Sequence, residues 1–292
     1  MIQLGTKREA SALQRYIARG HKRVDGWLNA SAVDVIVRLA GIQKRLKIHG
    51  PVSEIGIHHG RLFILLHLLT ESPELSVAFD LFRRQEENVD GSGNGDVESF
   101  RKNLLKHGCD LTRIKIYAAN SMQLSASTVI KESAGAIRLF SVDGGHTAML
   151  TYHDLELAAG SLCEGGLVIL DDFFNPDWPG VAEGASRFLL ERPGKLHPVV
   201  IVGNKFIFTN TQEWAAQYAR DLVVYYRQRP CFVKKTPAFS GEAVTITPYG
   251  SPKGRLADRV LDYCGNTRLW ESIRYTTTGK VLKTGLRRIK DI

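Results

Sequence analysis

Two largely apolar runs of strand length each end on acid. Residues 137–142 stop at Asp143, and residues 166–170 stop at the adjacent pair Asp171 and Asp172. Both runs read as strands built for burial. A carboxylate at the end of such a strand has to be paired, ligated or neutralised, because desolvating a bare charge costs several kcal/mol. The pattern therefore predicts three acids gathered at one rim of a sheet, with something held there.

The rest of the chain supplies that sheet. "VSEIGIHHGRLFILLHLL" reads as strand, glycine-containing turn and helix, and "LSVAFDLF" (75–82) as a second strand ending near Asp80. "RIKIYAANS" (113–121), "AIRLFSVD" (136–143) and "GGLVILDD" (165–172) are the third to fifth strands, with a helix at 150–162 joining the last two. Strands alternating with helices imply a parallel α/β sheet. "HPVVIVGNKFIFTN" (197–210), with its Gly-Asn turn, reads as a hairpin and so as an antiparallel edge. Residues 7–23 and 31–47 have helical spacing, with Ser31 as a candidate N-cap. The polar, glycine-rich stretch "RRQEENVDGSGNGDVES" predicts an exposed loop, followed by a helix at 100–106. The expected organisation is a helical cap over 1–50, a ligand-binding domain over 51–215 and an extension over 216–292. That extension opens on a helix through about Tyr226 and then shows no strong period.

Composition excludes little. With 43% hydrophobic and 24% charged residues the chain is ordinary globular material. Four separated cysteines, Cys109, Cys163, Cys231 and Cys264, form no CxxC pair, which predicts reduced thiols and a cytoplasmic protein. No secretory h-region follows Met1, and the apolar segments are too short to span a bilayer. The net charge of +9 concentrates at the two ends, in Lys7, Arg8, Arg15, Arg19, Lys22 and Arg23 and in Lys280, Lys283, Arg287, Arg288 and Lys290. No aromatic stacking pattern is interleaved, so a solvated basic surface is expected in place of a nucleic-acid site. Peripheral contact with an anionic membrane through those termini, and self-association, stay open.

Ligands of doubly wound sheets bind beyond the carboxyl ends of the strands. Glu54, Asp80, Asp143, Asp171 and Asp172 all fall at or near such ends. In "EIGIHHG", Gly56 and Gly60 stand where backbone must approach a ligand or the following helix, and Asp80 stands where a carboxylate can accept both ribose hydroxyls. NAD and S-adenosylmethionine both suit that layout. A dinucleotide turn wants G-x-G-x-x-G, and His58 occupies the second glycine position, which favours S-adenosylmethionine. The adjacent His58 and His59 have no third metal ligand near in sequence, so His58 is expected to pack against the cofactor's methionine moiety.

On "EIGIHHG", "AFDLF", "ANSMQL", "FSVDGGH" and "GGLVILDDFFNPDWPGVAEG", residues 31–210 resemble the class I S-adenosylmethionine-dependent methyltransferases. Within them the chain is most similar to the sugar and natural-product O-methyltransferases. The resemblance implies a Rossmann-like, doubly wound, seven-stranded, mostly parallel sheet whose last strand is antiparallel. It implies Glu54, Gly56, His58 and Gly60 toward the methionine end, Asp80 on the ribose, Asn120 and Ser121 beside the adenine, and Asp143 facing the cofactor. It also implies Mg2+ on Asp143, Asp171 and Asp172, and His146 as the base that takes the hydroxyl proton.

Such residues suit methyl transfer to a hydroxyl of a glycan or secondary metabolite. A hard cation lowers a hydroxyl's pKa, and magnesium takes oxygen ligands. A histidine near its ordinary pKa can accept the proton. Phe173, Phe174 and Trp178 offer aromatic faces for an acceptor pocket. Three other readings compete: a cephalosporin-hydroxylase-like enzyme on the same fold, a nucleic-acid-binding protein with a degenerate cofactor site, and an NAD-dependent dehydrogenase.

Overall fold

The computed structural model describes residues 7–239 and 241–248. Its elements follow the chain as α1 (Lys7–Arg15), α2 (Ala30–Arg45), β1 (Val52–Ile55), α3 (Arg61–Leu68), β2 (Ser76–Asp80), α4 (Val97–His107), β3 (Ile114–Ala118), α5 (Ala126–Ser133) and β4 (Ile137–Val142). Then come α6 (Ala148–Ser161), β5 (Leu162–Leu170), α7 (Pro179–Glu191), β6 (His197–Val202), β7 (Lys205–Thr209), α8 (Gln212–Tyr226), β8 (Cys231–Ala238) and β9 (Gly241–Pro248).

All nine strands form one sheet in the order β3-β2-β1-β4-β5-β7-β6-β9-β8. β1 pairs in parallel with β2 and β4, β2 with β3, and β4 with β5. β7 then runs antiparallel between β5 and β6. The doubly wound, mostly parallel core with its antiparallel strand is as the sequence predicts; the count of seven strands is not. β9 adds in parallel to β6, and β8 closes the edge antiparallel to β9. Lys234, Lys235 and Pro237 lie on that outermost strand, where an unpaired edge tolerates charge and a missing N–H. The 215/216 boundary therefore falls inside α8, and residues up to 248 continue the same sheet. The rest of the predicted extension, with the basic run at 280–290 and Cys264, lies outside the described residues.

β1 and β4 are buried along their whole length, and β5 from Gly165 to its end, because helices cover both faces. On one face Leu13, Tyr16, Ile36, Leu39, Phe63 and Leu222 join one core. On the other, Val129, Leu155, Ala158, Ala185 and Phe188 pack against Phe140, Val168 and Phe208 in a second. Asn29, and not Ser31, caps α2: its Oδ1 accepts from the Ala32 amide at 2.8 Å and from the Ser31 hydroxyl at 2.8 Å. α4 begins at Val97, three residues before the sequence expectation, because Asp96 caps it through the Ser99 amide at 2.7 Å.

β1 and β4 are neighbours, while the chain leaves β1 toward β2 and leaves β4 toward β5. This is the switch point at which such sheets open a crevice at their carboxyl ends. Every acid singled out in the sequence lies at or next to that end.

Candidate active site

A cavity of about 700 Å³ opens over the switch point, within the usual range for ligand sites. Asp80, Asp143, Asp171 and Asp172 all line it, with Gly56, His58, Asn120, Ser121 and His146. Glu54 and Gly60 do not.

Gly56 closes β1 with φ +82, and a Cβ there would stand 1.8 Å from the Asp143 carbonyl oxygen. No side chain fits, so glycine is what lets the turn after β1 and the rim of β4 touch. Gly60 caps α3 at φ +87 against the Phe100 ring, 2.4 Å from a would-be Cβ, and so serves packing. Asp80 clamps the turn: its Oδ2 accepts from the amides of Ile57 at 2.6 Å and His58 at 2.9 Å, and its Oδ1 from Phe82 at 2.6 Å. A carboxylate has about four acceptor sites, so capacity for a ribose hydroxyl remains. Asn120 caps a short turn through the Met122 amide at 3.1 Å and donates to Glu87 at 3.0 Å. The His58 and His59 rings lie tilted against each other with centroids 4.0 Å apart, and the fold brings Asp25 to 3.4 Å from His59, a carboxylate that sequence spacing did not offer.

The acids divide unexpectedly. Asp171, 5% exposed, is ion-paired with Lys205, itself 1% exposed, at the start of β7. Burial alone would push the Lys205 ammonium pKa down; the charges of Asp171 and Asp143 outweigh it and hold the pKa up. Glu54, beneath the cavity at 2% exposure, is driven well above the carboxylate range by burial, against the pull of Lys205. Asp143 is pushed the same way by burial and by the Asp171 charge. Asp172 sits at φ +57 and accepts from Asn204 at 2.7 Å and Asn175 at 3.0 Å.

The three-carboxylate magnesium set thus does not fit as the resemblance implies it, because an ammonium already holds Asp171. Among the described residues two sets of ligand atoms lie within 4.8 Å of one another: Asp143, His146 and Asp172 at this rim, and Asp25, His58 and His59 beside the β1 turn.

His146 is the centre of the second network. Its Nε2 faces Asp172 Oδ2 at 3.3 Å, its Nδ1 faces Asp90 Oδ2 at 3.1 Å and Ser92 Oγ at 3.0 Å, and its amide also donates to Asp90. The ring stacks on Trp178 with centroids 4.2 Å apart. Burial alone would lower its pKa; the hydrogen bond to Asp172 and the charges of Asp90 and Asp172 outweigh it, and the pKa is raised.

Asp90 and Ser92 come from the stretch expected to be an exposed loop. It instead folds back as a wall: Gln85, Glu87, Asn88, Val89 and Ser92 line the cavity, and Gly95 passes beside Asp80. Of the aromatic segment after Asp172, only Trp178 reaches the cavity. Phe173 and Phe174 pack on Phe206, with centroids at 5.2 and 5.9 Å. Sequence reasoning missed Lys205, Asp90 and Ser92. The signal for Lys205 was a lysine opening an otherwise largely apolar strand, β7, which pairs antiparallel with β5; for Asp90 there was none beyond a lone acid among glycines.

A doubly wound sheet with a clamped glycine turn and an acid-lined crevice defines a nucleoside-cofactor fold. Residues 53–173 match the model of a methyltransferase domain family. Among solved structures the chain is similar to the O-methyltransferase NovP, at 14% identity and a TM-score of 0.55, over 70% of this chain and 100% of that one. It is also similar to the O-methyltransferase TomG from Streptomyces achromogenes, in complex with S-adenosylmethionine, at 18% identity and a TM-score of 0.48, over 68% and 89% of the two chains. An O-methyltransferase from Bacillus cereus in complex with S-adenosylhomocysteine aligns at 14% identity and 0.46, over 73% and 94%. No curated protein matches the chain. The likeness is to a methyltransferase domain over residues 53–173, and to the fold of these enzymes over the wider chain.

Proposed function

We propose that the protein methylates a hydroxyl oxygen of a glycan or secondary metabolite. The reading is carried by one observation: His146, held between two carboxylates, opens into the same cavity as the Gly56–Asp80 turn. The cavity's size, its apolar walls at Ile55, Phe79 and Leu81, and the remaining acceptor capacity of Asp80 suit S-adenosylmethionine. That cofactor supplies an electrophilic methyl group.

The protein's part is orientation and proton transfer. Asp80, Asn120 and Ser121 hold the nucleoside end, and the Trp178 face and the loop wall keep water from the reacting oxygen. His146 Nε2 is the atom that would take the acceptor's hydroxyl proton. Asp172 and Asp90 then stabilise the imidazolium. Asp143 lines the reacting end.

Calorimetry tests the cofactor: S-adenosylmethionine and S-adenosylhomocysteine should bind, and NAD should not. Labelled-methyl transfer to a panel of sugars and phenols tests the chemistry; loss of transfer in His146→Ala with S-adenosylhomocysteine binding intact is the expected result. Binding of neither methyl-cofactor form sinks the reading.

A metal-assisted variant is the second reading, favoured by the grouping of Asp143, His146 and Asp172. In it His146 is a ligand in place of a base, a donor that suits borderline divalent ions better than magnesium. Transfer unaffected by EDTA would remove it. The described cysteines are unpaired, which supports a reducing compartment such as the cytoplasm. Among the described residues no helix is long and apolar enough to cross a membrane.

A further inference from the structure

The loop between β2 and α4 does more than wall the cavity. Both oxygens of Asp90 are committed as acceptors, and to different parties. Oδ1 takes the Ser92 amide at 2.8 Å and the Ser92 hydroxyl at 2.5 Å, which fixes the loop's own turn. Oδ2 takes the His146 amide and faces Nδ1 of the imidazole at 3.1 Å, which fixes the histidine. Asp90 is 9% exposed at the side chain, His146 13%. The loop is pinned at its other end by Glu87 on Asn120 and at its return by Gly95 against Asp80. Docking the loop and orienting the imidazole are thus one event, since the same carboxylate does both.

Carboxylates face both ring nitrogens, but Nδ1 meets two acceptors, Asp90 Oδ2 at 3.1 Å and Ser92 Oγ at 3.0 Å, against the single longer approach of Asp172 Oδ2 to Nε2 at 3.3 Å. The proton of the neutral ring therefore belongs on Nδ1, and Nε2 is the nitrogen that accepts. We propose that Asp90 is the positioning residue for His146, and that closure of the 83–96 loop aims the imidazole at the hydroxyl to be methylated. The proposal rests on the function proposed above. It explains why a stretch whose composition suits a solvated loop lies over the cavity: an acceptor enclosed by the loop meets a correctly oriented base, and an open site has none. Asparagine cannot replace Asp90. An amide would set its NH2 either against the Ser92 amide or against the His146 amide, and one donor would face another.

The test needs no acceptor. In the full-length protein saturated with S-adenosylhomocysteine, imidazole 15N NMR at alkaline pH should show His146 with its proton on Nδ1. In Asp90→Ala and Asp90→Asn that signature should give way to a tautomer mixture. Amide exchange over residues 88–95 should rise about tenfold or more, the factor one charge-assisted hydrogen bond supplies. S-adenosylhomocysteine affinity should hold. An unchanged tautomer, an unchanged loop exchange, or affinity lost together with the signature would each overturn the proposal. Ser92→Ala, which keeps the carboxylate, should move both readouts in the same direction by less, and it decides the matter if the Asp90 variants do not fold. Failure of the wild-type protein to bind S-adenosylhomocysteine is a different result and refutes the parent reading.

Discussion

The Lys205 ammonium is buried against Asp171, 34 residues away in the chain, and is the cation beneath a rim that also carries Glu54 and Asp143. Sequence reasoning assigned Asp171 to a metal; the fold assigns it to a lysine. Breaking a buried pair by removing one partner costs about 3–5 kcal/mol, because the other charge stays behind. Lys205→Met should therefore lower unfolding stability by about that much at neutral pH, measured in urea. Adding Asp171→Asn should restore part of the loss. A single variant as stable as wild type would show that the pair is not held as described.

Methyl transfer should have a late acid limb. Burial disfavours the charged imidazole of His146, but Asp172 and Asp90 outweigh it, and the folded pKa lies above the ordinary value. Only neutral imidazole accepts a proton, so the rate should climb as pH rises through that raised value. The same raised pKa stabilises the fold at pH below the unfolded value of about 6.5, and the contribution fades as pH passes the folded one. A pH–rate profile, or an NMR titration of His146, checks the position of the limb.

Gly56→Ala should abolish S-adenosylhomocysteine binding. The added methyl meets the Asp143 carbonyl at 1.8 Å on a backbone already at positive φ, so the β1 turn and the β4 rim must separate. Calorimetry beside circular dichroism distinguishes a spoiled site from a lost fold. Full binding would show that the two rims are not in contact.

Asp154 is wholly buried in α6, and burial raises its carboxyl pKa to about 7. A carboxylate with a raised folded pKa favours the fold while protonated. Stability is full below the unfolded value of about 3.9 and falls as pH rises toward 7. Asp154→Asn should therefore stabilise the protein at pH 8, by up to about 4 kcal/mol at 1.36 kcal/mol per pKa unit, and should be nearly neutral at pH 3. Thermal unfolding at the two pH values reads the difference directly.

Ile246 on β9 is 3% exposed and belongs to the same core as α2, α3 and α8. Ile246→Ala should cost about 2–5 kcal/mol and leave a single unfolding transition, as expected when β8 and β9 complete the main sheet. A separate low-stability transition would mark them as an independent unit.

Local and periodic features are legible in the chain. Residues 166–170 are apolar throughout, and 137–142 are apolar but for Arg138 and Ser141, because helices cover both faces of the sheet, and that makes them visible as strands. The Gly203-Asn204 turn announces the β6–β7 hairpin, and acids at the ends of β2, β4 and β5 announce the rim. β8 and β9 were not legible: the lysines and proline of β8 suit the edge it forms and blur any period, and β9 is defined by its pairing with β6 and β8. Which acid meets which partner depends on the fold. Asp171 meets Lys205 across 34 residues and Asp90 meets His146 across 56, and local chemistry carries no mark of a partner that far away. The physical reason is that a buried charge takes the nearest counter-charge the packing allows, and packing belongs to the fold as a whole.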